Sequence, residues 1–433
     1  MRVLALLAAS VAAASLPRAP LGIDAPLVAV LVAATVATST RRSLDAALFG
    51  SLAVALACVP ALLDADWVLA VDIAAACLLA AVAVTGPRLV APLAPFRALG
   101  QLPDLVPAVP HRSAPVLRGL VLGAVVVLPF GVLFWTADAA FAEIGRAAPI
   151  PSLASVPARV FVFTLVLLGA LGLALAAKRV FADPDMPKPK LGLSEWAIPL
   201  VLLDALFLAF VLVQVTVLFG GRDHVLETAG LTYAEYARQG FWQLIAAAAL
   251  TLVVVAAALR VAEVRRPSHG ILLRALLGAL CVLTIVTVAS ALHRLDLYED
   301  AFGLTRARLA AEAFSWGLGA FFVLILVAGA VHTVRKQVAR IAVAGVAFGL
   351  FAFSLSNPDG RIAGRNVDRW RGTGDLDIDY VQGLSADAVP SLAKLPEPLR
   401  AEVLAPFRAR LAEDEPWSSA NYGRHRAREV LEP

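Results

Sequence analysis

Two carboxylates and one amide stand where hydrocarbon is expected. Asp204 lies about a third of the way into an apolar run over 197–219, with Gln214 and Thr216 further along it. An ionisable group at that depth is costly and is the first place to look for a proton or ion relay. Asp204 and Gln214 are ten residues apart, close to three helical turns, so one helix stripe carries both toward a bundle interior. Asp72, in a run over 66–85, is a second candidate, although Asp64 and Asp66 nearby argue for a place close to the membrane surface. The competing reading of all three is hydrogen bonding between helices that specifies packing. One or two carboxylates make a thin case for transport.

A second group of ionisable side chains falls between apolar runs. Loop 220–239 ends in Tyr233, Glu235, Tyr236 and Arg238, followed by Gly240, Phe241 and Trp242. Thr232 stands three residues before Glu235, the spacing of a capping box at a helix start. Glu235 and Arg238 are then neighbours on that helix. Loop 293–308 carries Tyr298, Glu299, Arg306 and Arg308, with Thr305 placed to cap the helix that contains Glu312. If the two loops share a face, Glu235, Tyr236, Arg238, Tyr298, Glu299, Arg306 and Glu312 form a mixed-charge cluster. Such a cluster can bind an anionic headgroup, steady a following domain, or hold spans together.

Other chemistry is poorly supported. His293 and His332 close two helices near opposite faces, and His224 and His269 fall in opposing loops, so no shared metal ligand set is expected. Cys58, Cys77 and Cys281 all lie in apolar runs and read as small buried hydrophobes. No cofactor loop is present. A Ser418, His425 and carboxylate triad can be assembled only on paper.

The elements that must position these groups are membrane helices. Hydrophobic residues make up 60% of the chain, charged residues 16%, and mean hydropathy is +0.80, far from the balance of a soluble domain. Apolar runs recur over 3–16, 25–40, 44–60, 66–85, 115–136, 157–177, 197–219, 240–259, 270–292, 309–332 and 337–355, those from 44 onward near the length that crosses a bilayer. The first is short and resembles a signal peptide in part; a tight hairpin of two spans is preferred, giving eleven spans, or ten without it. The net charge of +4 sits in loops that orient helices and does not imply nucleic-acid binding. With the N-terminus cytoplasmic, 18 Lys and Arg fall on the cytoplasmic side and 8 on the other, the bias expected of that orientation. The C-terminal tail is then extracytoplasmic. Pro87, Pro92, Pro95, Pro103, Pro107, Pro110 and Pro115 forbid a continuous helix over 86–114.

Residues 356–433 abandon the apolar pattern. They hold 11 basic and 13 acidic residues and read as a small polar domain of two or three short helices after the multi-span region 1–355. Helical spacing runs from Leu399 through Val403, Phe407 and Leu411, and Asp387 with Pro390 opens a shorter pattern. The fold class expected is all-α: a polytopic bundle with a small C-terminal helical domain.

Tyr233, Glu235, Tyr236, Arg238, Gly240 and Phe241, with Tyr298, Gly303, Leu304 and Thr305 and the tail residues Asn357 and Asn366, resemble a bacterial integral membrane family. It is the domain of unknown function numbered 4173, related to 4153. Asp359-Gly360 is a mild departure from its pattern. The resemblance implies a multi-pass protein of the bacterial inner membrane and brings no activity. Three functions remain open. One is a structural, sensory or assembly component that binds an envelope partner. Another is a transporter or flippase using Asp204 and Gln214. The third is a transferase acting on a lipid-linked substrate at the outer cluster. Membrane lipid is a partner in each; nucleic acid is not.

Overall fold

The computed structural model describes residues 44–85, 191–219 and 240–432 except Asp414 and Pro416, with parts of 21–30 and 116–134. The predicted spans 3–16 and 157–177, and loop 220–239 with Glu235, Tyr236 and Arg238, lie outside the described residues.

The architecture is all-α, as the sequence predicts. The helices are α1 (Leu44–Ala57), α2 (Asp66–Thr85), α3 (Leu193–Phe219), α4 (Phe241–Val261), α5 (Pro267–Phe302), α6 (Arg306–Ala330) and α7 (His332–Leu355). The C-terminal helices are α8 (Pro358–Thr373), α9 (Ile378–Gln382), α10 (Val389–Leu392), α11 (Leu399–Leu411) and α12 (Tyr422–Leu431). Among the described residues, six helices are long and apolar enough to cross a membrane: α1 with its following turn, and α3 to α7. The chain is a multi-pass membrane protein.

Two compact units share the chain. One comprises residues 1–88, 302–313 and 339–433. In it α1 and α2 form an antiparallel hairpin through a turn of 3-10 helix at Val59–Ala61, where Pro60 takes a first-turn position that needs no N–H. Phe49, Ala53 and Leu56 of α1 pack with Ala76, Leu79 and Ala83 of α2 and Ala347 of α7. The tail helices have a core of their own, in which Ile362, Val367, Val389, Leu392, Val403 and Phe407 pack with Leu304 and Leu309.

That core explains α8, a helix the periodicity reading does not anticipate. Ile362, Ala363, Asn366 and Val367 face inward while Arg361, Arg365 and Asp368 face out, a narrow stripe on a segment of low mean hydropathy. Its ends are well defined. Asn357 accepts from the Gly360 N–H at 2.9 Å, and Pro358 opens the first turn. Gly374 closes the helix in the left-handed conformation that favours glycine.

The second unit comprises 89–301 and 314–338. Gly119 and Gly123 bring their helix against α3 so closely that a Cβ on Gly119 would meet the Ser194 carbonyl oxygen at 2.4 Å. Small residues let membrane helices approach in this way. Further along, Phe134 stacks on Phe210 at 4.1 Å and meets Phe207 edge-on at 4.8 Å. α5 runs ten residues past the predicted end at 292, to Phe302. The predicted loop 293–308 thus shrinks to the turn before α6, with Gly303 left-handed at φ 78.

Candidate functional site

The densest polar chemistry in the described residues lies in the first unit, where the tail meets the α1–α2 turn and the start of α6. Asp359, fully buried on the first turn of α8, is its centre. Its carboxylate accepts from Arg306 Nε at 3.1 Å and Nη2 at 2.5 Å, from Trp67 Nε1 at 2.9 Å, and from the Ser385 N–H at 2.8 Å. Two parallel guanidinium bonds make a geometrically specific pair. Burial pushes this carboxyl up, but the Arg306, Ser385 and Trp67 donors outweigh it and hold the group below the ordinary carboxylate range. Tyr380 adds to the same corner: its hydroxyl oxygen accepts the Arg306 N–H at 2.7 Å.

Next to it, Asp64 and Asp387 are bonded to each other's chain. Asp387 Oδ2 accepts the Asp64 N–H at 2.7 Å and the Ser385 hydroxyl at 3.0 Å; Asp64 Oδ2 accepts the Ala386 N–H at 3.2 Å. Asp64 also pairs with Arg424 of α12, whose side chain is buried and also bonds Glu415 at 3.0 Å. Burial raises the Asp64 carboxyl against the pull of Arg424. Burial likewise raises Asp387, to about 6, because its donors are N–H and O–H groups and, among the described residues, no cation contacts it directly. Asn421 completes the joint: its amide donates to the carbonyls of Pro60 and Leu63, both at 2.7 Å, while its oxygen caps α12 by accepting the Arg424 N–H at 2.9 Å.

Of the predicted outer residues, Arg306 and Glu312 therefore face the tail. Glu312 lies 3.8 Å from Arg361. Thr305 caps α6, accepting the Arg308 N–H at 3.4 Å. Asn366 donates to the Leu304 carbonyl at 2.8 Å, and a Cβ on Gly303 would strike its Oδ1, so two of the sequence blocks singled out above touch directly. Tyr298 and Glu299 belong to the second unit, on the last turns of α5, where Glu299 is buried. Asp64, Asp359, Asp387, Asn421 and Arg424 were not among the predicted site residues.

The intramembrane candidates divide. Asp72 is buried and accepts the Ser354 hydroxyl of α7 at 2.8 Å, a packing bond. Gln214 in the second unit accepts from Ser290 at 3.0 Å and Arg294 at 2.9 Å, both on α5 and both buried. Asp204 is different. Its two carboxylate oxygens are buried, and among the described residues no hydrogen-bond donor reaches either; Cys281 of α5 is its electrostatic neighbour. Among the described residues no three His, Cys, Asp or Glu side chains converge on a metal site.

Residues 3–395 match the family described as a domain of unknown function, DUF4153. The chain belongs to the DUF4153 family. This corrects the resemblance read from the loop and tail motifs, which pointed to the family numbered 4173: the match is to 4153, and it ends just after α10. No curated protein and no solved structure matches the chain. The DUF4153 match includes Arg306, Asp359 and Asp387 and ends before α11 and α12, so Asn421 and Arg424 lie beyond it.

Proposed function

We propose that this chain is an assembly component of the bacterial inner membrane, a scaffold whose C-terminal helices form a fixed platform for an envelope partner. The observation that carries the reading is the occupancy of Asp359: four donors, from α2, α6 and the segment before α10, consume a buried carboxylate in fastening the tail. Loop 61–65, the turn before α6 and the end of α7 all meet the tail, and the sequence reading puts those three on one side of the membrane. The charge bias makes that side extracytoplasmic. A photo-crosslinking amino acid at exposed tail positions, in native membranes, tests the platform. A discrete adduct that disappears when Asp359→Ala loosens the tail is expected; no adduct, or one indifferent to that change, overturns it. Labelling of a cysteine at Asp368 by a membrane-impermeant maleimide on intact cells checks the side.

One observation favours a second reading, a transporter in which Asp204 moves a proton or ion. Its carboxylate, inside a span, meets no donor among the described residues, and intramembrane ionisable groups are functional by default. Proteoliposomes under an imposed proton gradient separate the two: the scaffold carries no current, whereas a current abolished by Asp204→Asn establishes the transporter.

A further inference from the structure

We propose that the stretch from Trp417 to Tyr422 is a bilayer-interface anchor, seating the C-terminal helices on lipid headgroups beside the α1–α2 turn. The backbone of this stretch is stitched to the membrane hairpin. Asn421 donates to Pro60 and Leu63, the Gly423 N–H donates to the Leu62 carbonyl at 3.1 Å, and the Ile23 N–H donates to the Ala420 carbonyl at 3.1 Å. The stretch therefore lies at the level where two apolar helices leave hydrocarbon. It is also held down tightly, since a Cβ on Gly423 would collide with Asp387 Oδ1 and one on Gly22 with the Ser419 backbone.

At that level the chain exposes its aromatics. Trp417 is 78% exposed and Tyr422 59%, between the acidic run 413–415 and the basic residues Arg424, Arg426 and Arg428. Large exposed apolar surfaces are unfavourable in water, whereas Trp and Tyr, each an apolar ring with one polar group, concentrate at the headgroup layer. Ile23 and Leu62, whose backbones bond to this stretch and to Gly423 just after it, are exposed as well, so the aromatic pair stands beside further exposed apolar side chains that a lipid surface would cover. Arg426, exposed on the same helix face as Tyr422 four residues on, supplies a cation for lipid phosphate.

The test uses the full chain in nanodiscs, with a solvatochromic amino acid incorporated in place of Trp417, of Tyr422 in a parallel variant, and of Glu397 as control. Glu397 is exposed, and its hydrogen bonds among the described residues run to Arg400 and Ala401. Nitroxide attached to the lipid headgroup is the quencher. Blue-shifted emission and severalfold stronger quenching at 417 and 422 than at 397 are expected. Water-like emission at 417 and 422, with quenching equal to that at 397, overturns the anchor. Blue-shifted emission that headgroup nitroxide leaves unquenched, but that disappears on dilution to one chain per disc, overturns it in favour of contact between copies.

Discussion

Asp359 and Asp204 are both aspartates on helices with their carboxylate oxygens buried, and the chain treats them oppositely. Asp359 has four donors from three separate segments; Asp204 has none among the described residues. A buried charge is tolerated when it is paired and hydrogen-bonded, so Asp359 can serve as a fastening and its removal must be felt by everything it joins. A carboxylate without donors fastens nothing. The contrast separates residues that hold this protein together from a residue whose presence packing among the described residues does not explain.

The comparison is broken most severely at the joint. Asp359→Ala strands Arg306, the Trp67 indole N–H and the Ser385 N–H together, and loss of one partner of a buried pair costs about 3–5 kcal/mol. Arg306 retains some solvent access, which places the expected cost near the lower end. Hydrogen–deuterium exchange in nanodiscs should show α8 to α10 losing protection while α1 and α2 keep theirs. Unchanged protection would mean that the apolar tail core alone docks these helices.

A second effect, on the order of 3 kcal/mol, is carried by pH. Asp387 titrates at about 6 in the folded chain and near 4 when unfolded, so its contribution is fully present at low pH and lost as pH rises through 6. Asp64 is raised too and acts in the same direction. Asp359, held low, has the opposite sign: its contribution is lost as pH falls below the unfolded value. Tail docking should therefore be tighter at pH 5 than at pH 7.5, as read by exchange protection of α10 and α12 corrected for intrinsic rates. Asp387→Asn should flatten that slope, and a slope that survives the substitution would assign it to another group.

Asn421→Ala comes next. It removes the α12 cap and both bonds to the α1–α2 turn, a loss of about 1–3 kcal/mol. Protease cleavage between α11 and α12 should accelerate, with α8 unaffected. Cleavage spreading through α8 would show that the two halves of the joint unfold as one.

How far the sequence foretells this depends on how the signal is carried. Apolar runs state the long helices directly, since the bilayer demands about 20 residues each. They misplace the end of α5, because Arg294, Asp296 and Glu299 look like a loop; Arg294 is in fact buried and bonded to Gln214. α8 escapes for a related reason, having only Ile362, Ala363 and Val367 as its buried apolar stripe, though Asn357-Pro358 and Gly374 mark its ends in retrospect. Arg306 and Glu312 are legible as groups that could steady the tail. Their partners are not, because the tail offers 13 carboxylates, and nothing local tells Asp359 or Asp387 from the rest. The bond from Asp64 to Asp387 joins residues 323 apart, a distance that only a folded chain makes short.

The smallest effect expected is the one that sharpens the contrast most. Asp204→Asn removes no hydrogen bond among the described residues, where neither oxygen of Asp204 has a donor, and it replaces a carboxyl by an amide of the same shape. The expected change in unfolding midpoint in detergent is close to nil, within about 1 kcal/mol in either direction, against the large loss at Asp359. A stabilisation would follow if the wild-type group carries charge for part of the time, since the amide avoids the cost of burying it. A clear destabilisation would mean that a donor reaches Asp204 in the membrane, and the distinction between the two aspartates would collapse into one of degree. If stability holds and current across proteoliposomes disappears, the position is retained for what its proton does. If stability and current are both indifferent, Asp204 is neither a fastening nor a relay, and the polar contacts of Gln214 with Ser290 and Arg294 become the next place to look along α3.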